Sequence, residues 1–188
     1  MHIRTKIVSA AVGVALAWGA AEQSKAATFV IGGFAGACYQ AAKAGRSNPD
    51  SIDLCTWALS REPLNAHDRA GTLVNRGAMY LNNRDLDQAH ADFDKAMAIE
   101  PGLGEAHVGE GVWLINQERF AEAESQIDIG LAGGIEEQEK AYYFRGLARW
   151  GQDDFKGAYL DFQKALELKP GWDLPRRQLA HFQVSPAS

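Results

Sequence analysis

Nowhere does this sequence carry an apolar run of the ~20 residues that a membrane-crossing helix needs. It has only two cysteines in 188 residues, and its 19 Lys+Arg fall short of its 24 Asp+Glu. Each shortage closes off a class of protein. Without a long apolar run, no stable membrane span is expected. A deficit of positive charge is a poor match to phosphate backbones, where basic side chains supply most of the affinity, so nucleic acid is not an expected partner. His67, His90, His107 and His181 are scattered one to an element, without metal-ligand spacing and with no cysteine nearby in sequence. No metal and no cofactor is therefore expected. Catalytic residues are expected to be none, because no nucleophile, base and orienting group can be assembled. His90 and Asp94 can share a helix face, as ordinary i, i+4 polar pairs do. The stretch GEGVW, Gly109 to Trp113, has glycines but no strand before it, and so is not a phosphate loop.

What is present begins with a leader. Arg4 and Lys6 precede an uncharged stretch from Ile7 to Ala21, and Ser24, Lys25 and Ala26 form a small-residue exit. That is the three-part pattern of a secretory signal peptide over residues 1–26, with the cut expected after Ala26 and residues 27–33 as a linker. Removing the leader takes the formal charge from −5 to −7, since Lys+Arg falls from 19 to 16 and Asp+Glu from 24 to 23. No cysteine lies close to the cut, so the expectation is a soluble periplasmic or secreted protein. The remainder, in a chain of 46% hydrophobic and 23% charged residues, suffices for one ordinary domain.

The strongest signal is repetition. DFDKAMAIEPG at Asp92 to Gly102 returns sixty-nine residues later as DFQKALELKPG at Asp161 to Gly171, which is two periods of about 34 to 35 residues. Aligning on glycine finds the middle copy, with Gly77, Gly111 and Gly146 spaced 34 and 35 apart. Four further columns keep their size class: Leu86, Phe120 and Phe155; Ala89, Ala123 and Ala158; Phe93, Ile127 and Phe162; Ala96, Gly130 and Ala165. Small residues facing one another let two antiparallel helices approach near the lower end of the ~8–10 Å interaxial range. Pro101 and Pro170 stop the second helix, and Gly133 with Gly134 replaces proline in the middle copy.

The pattern resembles the tetratricopeptide repeat family over roughly Ala70 to Trp172. The resemblance implies an all-α fold, a right-handed α-solenoid of helix-turn-helix hairpins. Three units are expected at 65–103, 104–138 and 139–172, the middle one divergent at His107, Ile127, Gly130 and Ile135. A degenerate hairpin at 34–64 precedes them, because ALSREP at Ala58 to Pro63 matches AMAIEP and ALELKP. Asn48 followed by Pro49 starts its second helix. Four extra residues between Pro63 and Gly77 predict a longer next helix beginning near Asn65. Residues 173–188 are read as a capping helix, DLPRRQLAHFQ, and a tail, since a solenoid must cover its last apolar face.

Two sites follow. Cys38 and Cys55 flank a turn near Ser47, and in an exported protein an even count points to a disulfide; two buried thiols are the alternative. The second site is the inner face of each first helix. Positions three before, one after and four after each glycine share that face, and they read Val74, Ala78, Leu81, then Val108, Val112, Ile115, then Tyr143, Leu147, Trp150. Asn82, Glu105, Asn116 and Lys140 lie at the edges. Family members that hold a partner's C-terminal carboxylate place Lys and Asn on this surface, and that clamp is absent here. The expectation is a groove for an apolar or amphipathic segment of another protein or peptide, anchored by Tyr143 and Trp150. Plain packing, or filling by residues 27–36, is the alternative, since an apolar stripe at helical spacing is often core. A structural subunit that uses the same face to form a homo-oligomer or an envelope complex is the competing function.

Overall fold

The structure, a computed structural model, describes residues 2–5 and 33–185. The leader's apolar stretch, the expected cut after Ala26 and most of the linker lie outside the described residues. Among those residues the fold is all-α, with nine helices arranged as successive hairpins and one short two-stranded sheet. No described helix is long and apolar enough to cross a membrane. The chain divides into two compact units, residues 14–109 and residues 110–188 with the first thirteen, and the division falls within α5 (Gly104–Asn116).

The first unit opens with the hairpin α1 (Phe34–Lys43) and α2 (Pro49–Arg61). Asn48 caps α2 by accepting from the Ser51 amide at 2.9 Å, with Pro49 in the first turn as expected. Cys38 and Cys55 form a disulfide across this hairpin, both sulfurs fully buried, with Met79 packed against them. The Glu62 carboxylate accepts from the amides of Phe34 and Ala35, so the end of α2 holds the start of α1. The longer helix is α3 (Ala66–Asn82), seventeen residues capped by Asn65, which accepts from the Asp68 amide at 2.8 Å. It pairs with α4 (Leu86–Ile99). A Cβ added at Gly77 would lie 2.7 Å from the Phe93 ring, and one at Gly109 would lie 2.4 Å from the same ring. Absence of side chains at both positions gives Phe93 its fully buried place.

The second unit contains α6 (Phe120–Ala132), α7 (Gln138–Gly151), α8 (Phe155–Leu168) and α9 (Asp173–Leu179). The same steric device recurs. Cβ atoms at Gly111 and Gly146 would fall 2.5 Å from Ile127 and 2.7 Å from Phe162. Gly134, at φ 79°, takes the left-handed conformation after α6 where the other repeats use proline. The three turns inside the hairpins share one geometry. Arg84, Glu118 and Asp153 each take φ near +60°, and the amide one residue later bonds a carbonyl five back, as Asp85 does to Tyr80, Arg119 to Leu114 and Asp154 to Arg149.

One expectation is corrected at the C-terminal end. DLPRRQLAHFQ is not helical throughout, because α9 stops at Leu179 and the chain turns extended as β2 (Phe182–Ser185). β2 pairs antiparallel with β1 (His2–Thr5), Ile3 opposite Val184. The physical reason is tertiary: Phe182 packs in an aromatic cluster while its strand pairs with β1.

Candidate functional site

Size class alone leaves out one feature of both the first and third repeats. The residue before the small-residue column is Arg76 or Arg145, and the residue before the large one is Asp92 or Asp161. Each pair closes as a bidentate ion pair between the two helices of its hairpin, at 2.7 and 2.8 Å for Arg76–Asp92 and 2.9 and 2.7 Å for Arg145–Asp161. Arg76 also donates to Thr56 Oγ1 at 3.0 Å, which carries the link on to α2. Arg145 donates to Asp128 at 2.6 Å and Arg149 to both Glu124 and Asp161, linking α6, α7 and α8. Burial works to lower the pKa of Arg76, yet the Asp92 carboxylate outweighs it and the net shift is upward. Arg145 is raised likewise by Asp161 and Asp128 against the same effect of burial. Glu124 shows the converse: burial would raise its pKa, but hydrogen bonds from Arg149 and Gln152 hold it below the usual carboxylate range. These groups are spent on one another and orient helices. The sequence holds a signal for them, the paired dipeptides Arg-Gly and Asp-Phe recurring together, while the middle repeat has Glu110 and Gln126 at those places.

The inner-face positions are found helix by helix. On α3, Val74, Ala78 and Leu81 are buried, and on α5 so are Val108, Val112 and Ile115. On α7, Tyr143 and Leu147 are buried and Trp150 alone of the nine is partly exposed. Eight of the nine positions therefore have side chains that are out of water within the chain itself. At the edges, Lys140 pairs with Glu137 at 2.6 Å and Asn116 donates to the Val112 carbonyl at 2.9 Å. Glu105 is exposed, and the Asn82 side-chain oxygen is buried without a hydrogen-bond partner.

The two expected anchors sit in a dense aromatic region of the second unit. The Tyr143 ring lies 5.0 Å from Trp172, 5.4 Å from Phe144 and 5.8 Å from Phe162, centre to centre. Burial pushes its phenol pKa up, partly offset by a hydrogen bond with Gln178 of α9. Trp150 meets Phe155 and Phe162 on its own hairpin, and the chain's C-terminal segment on its other side, with Phe182 at 4.9 Å and His181 at 5.8 Å. Tyr143 is thus committed to the C-terminal cap, whereas Trp150 is covered by a segment rather than by a helix.

Comparison with known proteins agrees with this geometry. Residues 139–171 match the family model described as tetratricopeptide repeat. Among curated proteins none matches the chain. Solved structures do. The first TPR domain of human RPAP3 is 26% identical, with 62% of this chain and 90% of that one covered and a TM-score of 0.56. The first TPR of Spaghetti (RPAP3), bound to the HSP90 peptide SRMEEVD, is 25% identical over 61% of this chain and 90% of that one, at a TM-score of 0.55. MamA 41-end from Desulfovibrio magneticus RS-1 is 20% identical, covering 78% and 79%, at a TM-score of 0.57, a likeness of fold.

Proposed function

We propose that this chain, which matches the tetratricopeptide repeat model over residues 139–171 and solved tetratricopeptide repeat domains in fold, is an exported, non-catalytic adaptor holding an apolar or amphipathic segment of another polypeptide. A solved relative at 25% identity has a peptide bound, which supports recognition of peptides as the mode. The ligand chemistry differs. That peptide ends in acidic residues, whereas the nine inner-face positions here include no cation to meet a carboxylate. Fold alone does not assign the partner, so the reading rests on the site.

The observation that carries it is Trp150. Of the nine positions it alone retains exposure, and a large aromatic at the end of a buried apolar row is the kind of residue that dominates binding energy. The non-catalytic part is supported by two buried carboxylates, Asp92 and Asp161, being engaged by arginines. The test is co-purification from periplasmic extract, with Trp150→Glu as the control. The proposal expects a defined partner that is lost from the variant while far-UV circular dichroism stays unchanged. Equal capture by both proteins, or unfolding of the variant, would reject it.

A further inference from the structure

The segment covering Trp150 differs from the rest of the core. Phe93 and Phe162 are fully buried inside helices, each directly following an aspartate locked by an arginine. Phe182 instead lies on the short strand β2 beyond α9, opposite Thr5 of β1. Ala180 and His181 before it are exposed, and after it Gln183 and Ser185 are polar and Val184 is apolar. Its ring is nonetheless only 9% exposed, seated 4.9 Å from Trp150, 5.5 Å from Tyr159 and 6.2 Å from Phe162, in edge-to-face contacts. The seat does not depend on its occupant. Trp150 rests on Phe155 and Phe162, and Phe162 is fixed against Gly146.

Besides these contacts the segment is held by its pairing with β1; once the leader that carries β1 is cut away, the Phe182 ring, with His181 at the edge of Trp150, is what anchors it. Burying one phenyl ring and ordering the few residues that carry it are opposing effects of the same order, so the segment opens far more readily than any helix of the unit. We infer that the Phe182 seat is a docking socket for one aromatic side chain of a partner segment, closed in the free protein by the chain's own C-terminal residues. The occupant it fits is an extended peptide presenting one phenyl ring among short, mostly polar neighbours, the chemistry of Ala180 to Ser185 itself. This rests on the adaptor reading and adds regulation to it, because the closed fraction lowers the apparent affinity for any competitor in proportion.

The probe is the chain's own tail supplied in trans, a fluorescein-labelled peptide of residues 180–188, followed by anisotropy against the protein that has lost its leader, residues 1–26, and with it β1. The Phe182→Ala protein is expected to bind it saturably. The native protein, whose socket is filled, is expected to bind at least about tenfold more weakly. A peptide carrying Phe182→Ala is expected not to bind either protein. Absence of saturable binding to a folded Phe182→Ala protein overturns the inference. So does loss of helical circular dichroism in that variant, which would make Phe182 a core residue. A Phe182→Leu protein that keeps its fold and binds the labelled peptide no more tightly than the native chain overturns it equally. Because no foreign partner is used, failure here leaves the adaptor reading to the Trp150→Glu capture, and failure there leaves this result standing.

Discussion

Helix α3 contains two glycines six residues apart, Gly71 and Gly77, for which the structure requires opposite responses to alanine. A Cβ at Gly71 meets nothing within 4 Å. Alanine there gains helix propensity of about 1 kcal/mol and loses nothing, so the protein is expected to be more stable by about that amount. At Gly77 the same gain is opposed by a collision. The new methyl would lie 2.7 Å from a Phe93 ring carbon, about 1 Å inside the carbon–carbon optimum. Phe93 is fully buried, and the backbone at Gly109 closes on the same ring, so the ring has no free direction in which to move. Overpacking of this kind costs about 1–3 kcal/mol, and a pinned ring belongs in the upper half of that range. Net destabilisation of about 1–2 kcal/mol is expected for Gly77→Ala, leaving the two variants about 2–3 kcal/mol apart. Urea unfolding followed by far-UV circular dichroism measures both. If the two substitutions shift stability in the same direction, the claim that small residues are there to admit the facing ring is wrong.

Three other outcomes follow from the same structure. Glu118 adopts a left-handed conformation at φ 59°, and Glu118→Gly should stabilise by about 0.5–1 kcal/mol, read as a rise in the urea midpoint. The Cys38–Cys55 bridge encloses a separation of 17 residues, so replacing both cysteines by serine should cost roughly 3 kcal/mol, with hydrogen exchange rising in α1 and α2 before α7 and α8. Glu124 has a depressed folded-state pKa, so its contribution is present above its unfolded value near 4.5 and is lost as pH falls through the lower folded value. Acid titration of stability should accordingly be shallower below pH 4.5 in Glu124→Gln than in the native protein.

What can be read from the sequence is steric, and the reason is local. A missing side chain at Gly77, Gly111 or Gly146 and a large one sixteen residues on are properties of single residues, so their spacing predicts α3 to α8, and the longer interval from Pro63 to Gly77 predicts the Asn65 start. Asn48 and Asn65 are legible for the same reason, since a cap acts within one turn. The Arg76–Asp92 and Arg145–Asp161 pairs also recur in sequence, but they disappear when residues are sorted by volume, and the middle repeat with Glu110 and Gln126 breaks their period. Burial of Val74, Val112 or Leu147 is not legible, because helical offset says which residues share a face and nothing about what lies over it. Phe182 is the hardest. Its seat is set by Trp150, far earlier in the chain, and although Val184 and Pro186 disfavour a helix there, nothing local says where the ring goes.

These failures have a common form. Trp150 stands in a column otherwise filled by Leu81 and Ile115, and Phe182 belongs to no column at all. Residues that repeat satisfy a demand that every hairpin makes, so their identity is explained once stacking is explained. A residue that departs from its column answers to something outside the repeat. Here the largest departure and the one phenyl ring beyond the last repeat lie 4.9 Å apart, which is why the C-terminal end of the second unit, rather than the repeated apolar rows, is where selectivity for a partner should reside. Exchanging Trp150 for the leucine of its column tests that directly: Trp150→Leu should retain the helical fold and lose most of the affinity for the labelled tail peptide in a Phe182→Ala background.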